Sequence, residues 1–500
     1  MKLLSQNLTI DKASSVPVYL QIANGIIAYI KQGMLKPGTQ LPASRHLAVA
    51  LAIHRKTVIA AYDELFAQSW IDVYPRIGAF VAKRLPEIKA RPIQEAEQDH
   101  RLAMQTFFPL DGTSLFNHQS FVNVPDGHIT INDGFPDTRI APLDLLIREY
   151  RRITSYHFTH KYLHYGPEQG SENLRMELAK FLSETRGLNL NHHDILITKG
   201  VQMAIYLVAQ LLLKKNDVVI VADPGFVGAN EVFEYAGAQL ELVGVDAYGI
   251  DLNAIEAICQ KKTVRMVYVI PHHHTPTTVT LCSERRMRLL DLARKYKFPI
   301  IEDDYDFDFH YRSSPLLPLA SADYEGHVIY IGSFSKIIAP GIRIGFMVAP
   351  KNFMQQAIKL RRIIDRQGEQ LLEEAMANLL KNGDIKRHLK KANKIYHARR
   401  DYFCNLLTKE LSRYLAFEVP DGGLAVWASY LNGLSAKKVA DTARELGLSL
   451  GNGCEYYHYG DPSSKTVRLG FASLTFEEME EAIGLLKKAI LKASNPALSL

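Results

Sequence analysis

Four cysteines in 500 residues (Cys259, Cys282, Cys404 and Cys454) stand far apart with no C-x-x-C pair, which argues against a disulfide framework and a thiolate zinc site. Free thiols so spaced fit a reducing compartment. No uncharged apolar stretch reaches the length of a membrane span, and Met1 to Asp11 holds no long apolar run, so a cytoplasmic, soluble protein is expected. Repeats and low-complexity tracts are missing too. The most local absence is of acid: no Asp or Glu lies between Asp11 and Asp63. Residues 1–92 hold 12 Lys or Arg against 5 Asp or Glu, a net of +7, whereas the remainder holds 47 against 48. A basic module on a neutral body points to a polyanionic partner for that module. The overall content, 47% hydrophobic and 22% charged, is ordinary for a globular protein, and the length calls for two or more domains.

In the basic segment Pro17 opens a helical pattern with Val18, Ile22, Ile26 and Tyr29 on one face, and Gly33 closes it. Ser44 is placed as the N-cap of a short helix through Ala52. A third helix from about Arg55 to Gln68 turns Val58, Tyr62 and Leu65 inward. Ile71 to Tyr74 and Ala79 to Val81 read as two short strands around Pro75-Arg76-Ile77-Gly78. Three helices and a hairpin make a winged helix-turn-helix over residues 13–82. A helical docking domain would share much of this pattern, but Arg55-Lys56-Thr57 opens the third helix, where a recognition helix makes its base and phosphate contacts.

Segment 17–82 resembles the GntR-type DNA-binding domain. The match runs through Gly33-x-Leu35-x-Pro37-Gly38-x-x-Leu41-Pro42-x-Ser44-Arg45-x-Leu47-Ala48, then Arg55-x-Thr57-Val58 and Ala61-Tyr62-x-x-Leu65. The resemblance implies double-stranded operator DNA as partner, with Ser44, Arg45, Arg55, Lys56, Thr57, Tyr62, Arg76 and Gly78 at the interface. Ile77 and Ala79 depart from the small polar residues usual in such a wing.

Residues 83–128 lose periodicity and read as an interdomain linker, part of which docks through Phe107, Phe108, Phe116 and Phe121. Apolar runs then alternate with helical segments at 195–197, 218–221, 264–270, 300–301, 328–331 and 346–348, which indicates α/β units and a largely parallel sheet. Long helical segments and a second set of strands follow. The expected domain covers 129–495, with a large α/β lobe at about 145–350 and a smaller α+β lobe at about 385–495.

The densest chemistry is Ser333-Phe334-Ser335-Lys336, followed by Pro340-Gly341 and Arg343-Ile344-Gly345. A lysine amine can form a Schiff base with an aldehyde cofactor, and two hydroxyls and an arginine supply donors for a phosphate monoester. The string resembles the lysine motif of class I/II aminotransferases, the fold-type I enzymes that carry pyridoxal 5'-phosphate (PLP). Ile300 to Tyr305 is an apolar strand running into Glu302, Asp303 and Asp304. A carboxylate beside the pyridine nitrogen keeps it protonated. The resemblance gives that role to Asp303, with Asp304 left as the alternative, and the ring-hydroxyl contact to Tyr305. Thr198-Lys199-Gly200-Val201-Gln202 opens a helix and resembles the family's phosphate loop, which assigns Gly200, Val201 and Gln202 to the phosphate with Ser333, Ser335 and Arg343. Asp223-Pro224-Gly225-Phe226 places Phe226 against the cofactor ring. His164-Tyr165-Gly166 implies that Tyr165 reaches the phosphate of a neighbouring subunit in a homodimer. Arg468, within Val467 to Phe471, matches the arginine that grips a carboxylate.

One segment departs: Pro271-His272-His273-His274-Thr275-Pro276-Thr277-Thr278 stands where an enzyme of this family has N-P-T-G. Adjacent side chains of an extended segment alternate, so one ion cannot easily take all three histidines, and no metal is expected. A hydrogen bond from His274 or Thr275 to the cofactor is expected instead. Thr275 for asparagine and Thr278 for glycine put efficient transamination in doubt.

A GntR-type domain fused to a fold-type I aminotransferase-like domain is the arrangement of the MocR subgroup of bacterial regulators. It implies a PLP-dependent, DNA-binding transcription regulator that senses an amine or amino-acid effector through Lys336. A working aminotransferase with an accessory DNA-binding domain is one rival reading, and a sensor of PLP itself is another.

Overall fold

The computed structural model describes residues 16–85, 127–155, 157–312 and 316–494, together with Leu8, Ile10, Asp11 and Ser14. Contacts divide the chain into two units, Met1–Gly112 and Thr113–Leu500. Most of the expected linker, including its four phenylalanines, lies outside the described residues.

The first unit holds three helices, α1 (Val18–Lys31), α2 (Ser44–Ala50) and α3 (Arg55–Ala67), and a hairpin of β1 (Ile71–Tyr74) and β2 (Gly78–Val81). Ile22, Ile26 and Ile30 recur at helical spacing and are buried. They meet Leu47 of α2, Val58 and Leu65 of α3, and Ile71 and Val81 of the hairpin in one core. Each such side chain contributes about 1.5–3 kcal/mol when fully buried. Two expectations need correction. Ser44 is the first residue of α2, not its cap: Ala43 occupies that place, in extended backbone. The helix also ends at Ala50, because the chain turns through a positive φ of 51° at Ala52.

The second unit is built on a mixed sheet. Its strands are β4 (Ile195–Thr198), β5 (Val218–Ala222), β6 (Gln239–Val243), β9 (Val264–Val269), β10 (Ile300–Asp304), β11 (Val328–Ser333) and β12 (Gly345–Val348), with a small ribbon of β7 (Val245–Asp246) and β8 (Gly249–Ile250) beside it. Its order is β4-β12-β11-β10-β9-β5-β6. From β11 to β6 all neighbours are parallel, while β12 runs antiparallel to both β11 and β4. Side chains alternate across it: Leu196 and Ile301 enter one core, and Ile195, Ile197 and Ile300 enter the layers on the opposite face. Helices cover both faces, as a mostly parallel sheet requires.

A second lobe follows β12. It is a three-stranded sheet of β13 (Leu415–Phe417), β14 (Ala425–Tyr430) and β16 (Thr466–Gly470). Beside it β15 (Leu448–Leu450) pairs in parallel with β3 (Ile129–Ile131), the first described strand of the unit. Residues 129–131 therefore belong with this lobe. Among the described residues no helix is long and apolar enough to cross a membrane.

Candidate functional site

The parallel strands β5, β9, β10 and β11 end on one edge of the sheet, where ligands bind in open α/β folds. Lys336 lies just past β11. The chain leaves at Ser333 and returns antiparallel at Gly345, opposite Ser333. Phe334, Ile337 and Ile338 anchor this turn by burial, which leaves Lys336 half-buried and directed at the sheet edge. Its Nζ donates to the Gly134 carbonyl at 2.8 Å and lies 4.7 Å from the Phe135 ring and 5.7 Å from the Tyr305 ring. Burial, with help from Arg468 and against the pull of Asp133, lowers its pKa to about 8. A larger neutral fraction at physiological pH suits a nucleophilic amine.

Three acids end β10, and their partners separate their roles. Glu302 accepts from the Leu319 and Ala320 N–H groups at 2.7 and 2.8 Å. Asp304 has both oxygens engaged, Oδ1 3.2 Å from His272 Nδ1 and Oδ2 accepting from Tyr330 at 2.5 Å. Asp303 accepts only from Tyr268, at 2.7 Å on Oδ2, and its buried Oδ1 has no partner. Burial raises the Asp303 pKa to about 7, against the Tyr268 hydrogen bond. A buried orphan oxygen on a carboxyl that resists ionisation wants a cationic donor. This geometry favours Asp303 over Asp304. Tyr268 carries no motif; only the β9–β10 register, which sets it beside Ile301, brings it to Asp303.

An anion cup lies next to Lys336. The helix Val201–Leu212 starts at Gly200, whose φ is 86°. A Cβ on Gly200 would lie 2.6 Å from Arg343 Nη2, and one on Gly345 2.7 Å from Gly200 Cα. Only glycine at both places lets helix start, strand and guanidinium converge. Arg343 remains exposed and donates to the Lys199 carbonyl at 2.7 Å. Ser333 donates to Ser335 at 2.8 Å. Helix-start N–H groups, two hydroxyls and a guanidinium suit a phosphate monoester. Gln202 donates to the Gly228 carbonyl, and Phe226 is half-buried against the core beside the same helix. Lysine, cup and unpaired Asp303 together fit PLP.

The three histidines turn to separate partners. His272 places Nδ1 3.2 Å from Asp304 Oδ1 and Nε2 2.6 Å from the Leu316 carbonyl, and burial lowers its pKa against the pull of Asp304. His273 lies 3.0 Å from Asp306 Oδ1, and His274 2.9 Å from Thr277 Oγ1. Burial, aided by Arg468, pushes the His274 pKa down to about 3, so it stays neutral. Thr275 donates to the Tyr305 hydroxyl at 2.9 Å, which donates in turn to the His273 carbonyl at 2.9 Å. Thr278 adopts a φ of 62°, a conformation that glycine tolerates and a β-branched residue resists. Arg468 is 2% exposed, which settles its facing: it points inward, donating to the Pro276 carbonyl at 2.6 Å and to Tyr305 at 3.2 Å. Tyr165 is 79% exposed and packs on Arg366.

In the first unit, Arg45, Arg55 and Lys56 are exposed at the starts of α2 and α3, with Arg76 at the hairpin tip. Ser44 accepts from Arg55 Nε at 3.4 Å, Thr57 is half-buried, and Gly78 has a φ of 130°. His54, which sequence reasoning passed over, caps α3 by accepting the Lys56 N–H at 3.2 Å. Tyr62 is a correction. It shares the inward face of α3 with Val58 and Leu65, is 8% exposed, and donates its hydroxyl to the Pro42 carbonyl at 2.7 Å. It is a core residue and not a DNA contact. Of the two wing residues that depart from the usual pattern, Ala79 is buried and Ile77 is exposed.

Comparisons agree with this division. Residues 142–486 match the family described as aminotransferase class I and II, and residues 18–81 match bacterial regulatory proteins of the gntR family. The probable rhizopine catabolism regulatory protein MocR of Rhizobium meliloti is 27% identical over 97% of this chain and 96% of its own length. The HTH-type transcriptional regulator TauR of Rhodobacter capsulatus is 26% identical over 92% and 94%. Among solved structures, LysN, an alpha-aminoadipate aminotransferase from Thermus thermophilus complexed with N-(5'-phosphopyridoxyl)-L-leucine, superposes with a TM-score of 0.69 at 26% identity, covering 74% of this chain and 93% of LysN.

Proposed function

The chain belongs to the aminotransferase class I and II family, with a gntR-family domain ahead of it, and from that premise we propose that it is a MocR-type transcription regulator that holds PLP on Lys336 and responds to a small amine. The observation that carries the cofactor reading is the buried, unpaired Oδ1 of Asp303 across the sheet edge from a lysine of lowered pKa. When bound, PLP would supply an aldehyde able to condense with an amine. The chain supplies the rest. Asp303 holds the pyridine proton, with Tyr268 fixing its other oxygen. Gly200, Val201, Gln202, Ser333, Ser335 and Arg343 take the phosphate. Tyr305, steadied by Thr275, would take the ring hydroxyl, and Phe226 and the neutral His274 would border the ring. The exposed Tyr165 suits a homodimer in which it serves the partner's site, and the setting is the cytoplasm.

Arg45, Arg55, Lys56 and Thr57 would meet operator DNA, with Arg76 and Gly78 at the wing. An amine shifts DNA binding only to the extent that it binds two states of the protein unequally. Thr275 and the strained Thr278 stand where an enzyme has asparagine and glycine, which favours binding over turnover. The test is operator binding by the PLP-loaded chain with and without added amines. A response to PLP alone, with none to any amine, would make it a sensor of PLP.

A further inference from the structure

Each nitrogen of the Arg468 guanidinium faces a group of the chain. Its Nη1 donates to the Pro276 carbonyl, its Nη2 to Tyr305, and its Nε lies 3.0 Å from Asp133 Oδ1, as an ion pair and not a directed hydrogen bond. The guanidinium is almost fully buried, so an entering carboxylate would have to displace one of these groups. Asp133 is itself held: Tyr456 donates to the same oxygen at 2.8 Å. It immediately precedes Gly134, whose carbonyl holds the Lys336 amine. A carboxylate of the chain thus sits where the carboxylate of an amino acid would be gripped.

The charges beside it point the same way. Glu455 adjoins Tyr456, with backbone N–H groups of its own turn and the Asp133 carboxylate near it. Neither of its buried oxygens makes a hydrogen bond of good geometry. Burial, with Asp133 adding to it, raises its pKa to about 7. Arg468 pairs with Asp133, and among the described residues Glu455 makes no ion pair. A ligand bringing another carboxylate adds repulsion, whereas one bringing a second ammonium can pair with Asp133 or Glu455.

We propose that Asp133 is the specificity-determining residue of this site, occupying Arg468 and selecting an effector with a second cationic group, such as a diamine, over one with a carboxylate. The proposal rests on Lys336 holding PLP. The test uses the full chain loaded with PLP and titrates 1,4-diaminobutane, n-butylamine, alanine and glutamate, reading the visible cofactor absorbance and, separately, operator binding. The expected order is diaminobutane tightest, by about tenfold or more over butylamine, with both amino acids weakest. Asp133→Ser should free Arg468 and reverse the order, tightening alanine and weakening diaminobutane by about tenfold each. Asp133→Asn, which keeps the shape, should weaken diaminobutane alike. Amino acids binding as tightly as diaminobutane, or an order unchanged in both variants, would overturn the proposal. A wild-type chain that takes up no PLP would overturn the cofactor reading, and this one with it.

Discussion

In the first unit the polar groups that matter are exposed: Arg45, Arg55 and Lys56 project from helix starts, while a separate small core of Ile22, Leu47, Val58 and Leu65 holds the fold. In the second unit several of them, Asp303 and Arg468 above all, are buried, and the same groups serve packing and chemistry. Asp303, Asp304 and Arg468 lie among apolar residues, with some atoms satisfied and a few, such as Asp303 Oδ1, left open. The difference teaches how to recognise a site in each setting. Surface chemistry shows as charge without burial, and buried chemistry shows as burial without a partner.

The largest effect that would break this contrast is at Lys336. Lys336→Ala should abolish the visible absorbance of lysine-bound PLP and leave the fold intact, because no other group there can form the bond. Covalent PLP surviving dialysis and borohydride in the variant would point to another lysine. Next comes Tyr62, which burial takes out of the DNA-facing set. Tyr62→Ala should destabilise the first unit by about 3–5 kcal/mol in denaturant unfolding, as loss of a buried aromatic does. Stability unchanged, with operator binding lost, would return Tyr62 to the interface.

Asp303→Asn should act on the second unit in two opposite directions. Its pKa is raised to about 7 from a usual value of 3.8, so ionising it in the folded, PLP-free chain costs stability. That cost is absent below pH 4, grows as pH rises, and is full above pH 7. The asparagine variant without PLP should therefore gain roughly 1–3 kcal/mol at pH 8 and little at pH 4, while retaining PLP poorly. A loss of stability at pH 8 would mean that Asp303 is satisfied in some other way. The smallest effect on folding is expected at the exposed face. Arg55→Ala and Lys56→Ala should each change stability by less than about 0.5 kcal/mol. Each should also flatten the salt dependence of operator binding by about one unit of log–log slope. A normal footprint in the double variant would remove the recognition-helix assignment.

Legibility in the sequence followed the same division. The apolar runs of β4, β5, β9, β10, β11 and β12 could be read because buried strands are nearly continuous in apolar residues. β6, with its alternating Gln239-Leu240-Glu241-Leu242, was passed over because it lies at the sheet edge and is only half-buried. β3 has three residues and a partner more than 300 positions away, so nothing local announces it. Lys336, Asp303 and the Gly200 turn were legible because their chemistry demands fixed residue types at short spacing. Asp133, Tyr268 and Tyr456 were not: register and tertiary packing alone bring them to the site. At Tyr62 periodicity points inward and resemblance outward, and its burial agrees with the periodicity.

The central claim is that amine binding at Lys336 is spent on DNA binding and not on turnover. It is tested most directly by measuring, on one PLP-loaded preparation, operator affinity and steady-state transamination with pyruvate or 2-oxoglutarate across the same panel of amines and amino acids. The account predicts that at least one amine shifts operator affinity while turnover stays far below about one per second, the lower range of ordinary enzymes. Sustained turnover at or above that rate, with operator affinity indifferent to every substrate, would contradict it and make this chain an aminotransferase with an accessory DNA-binding domain.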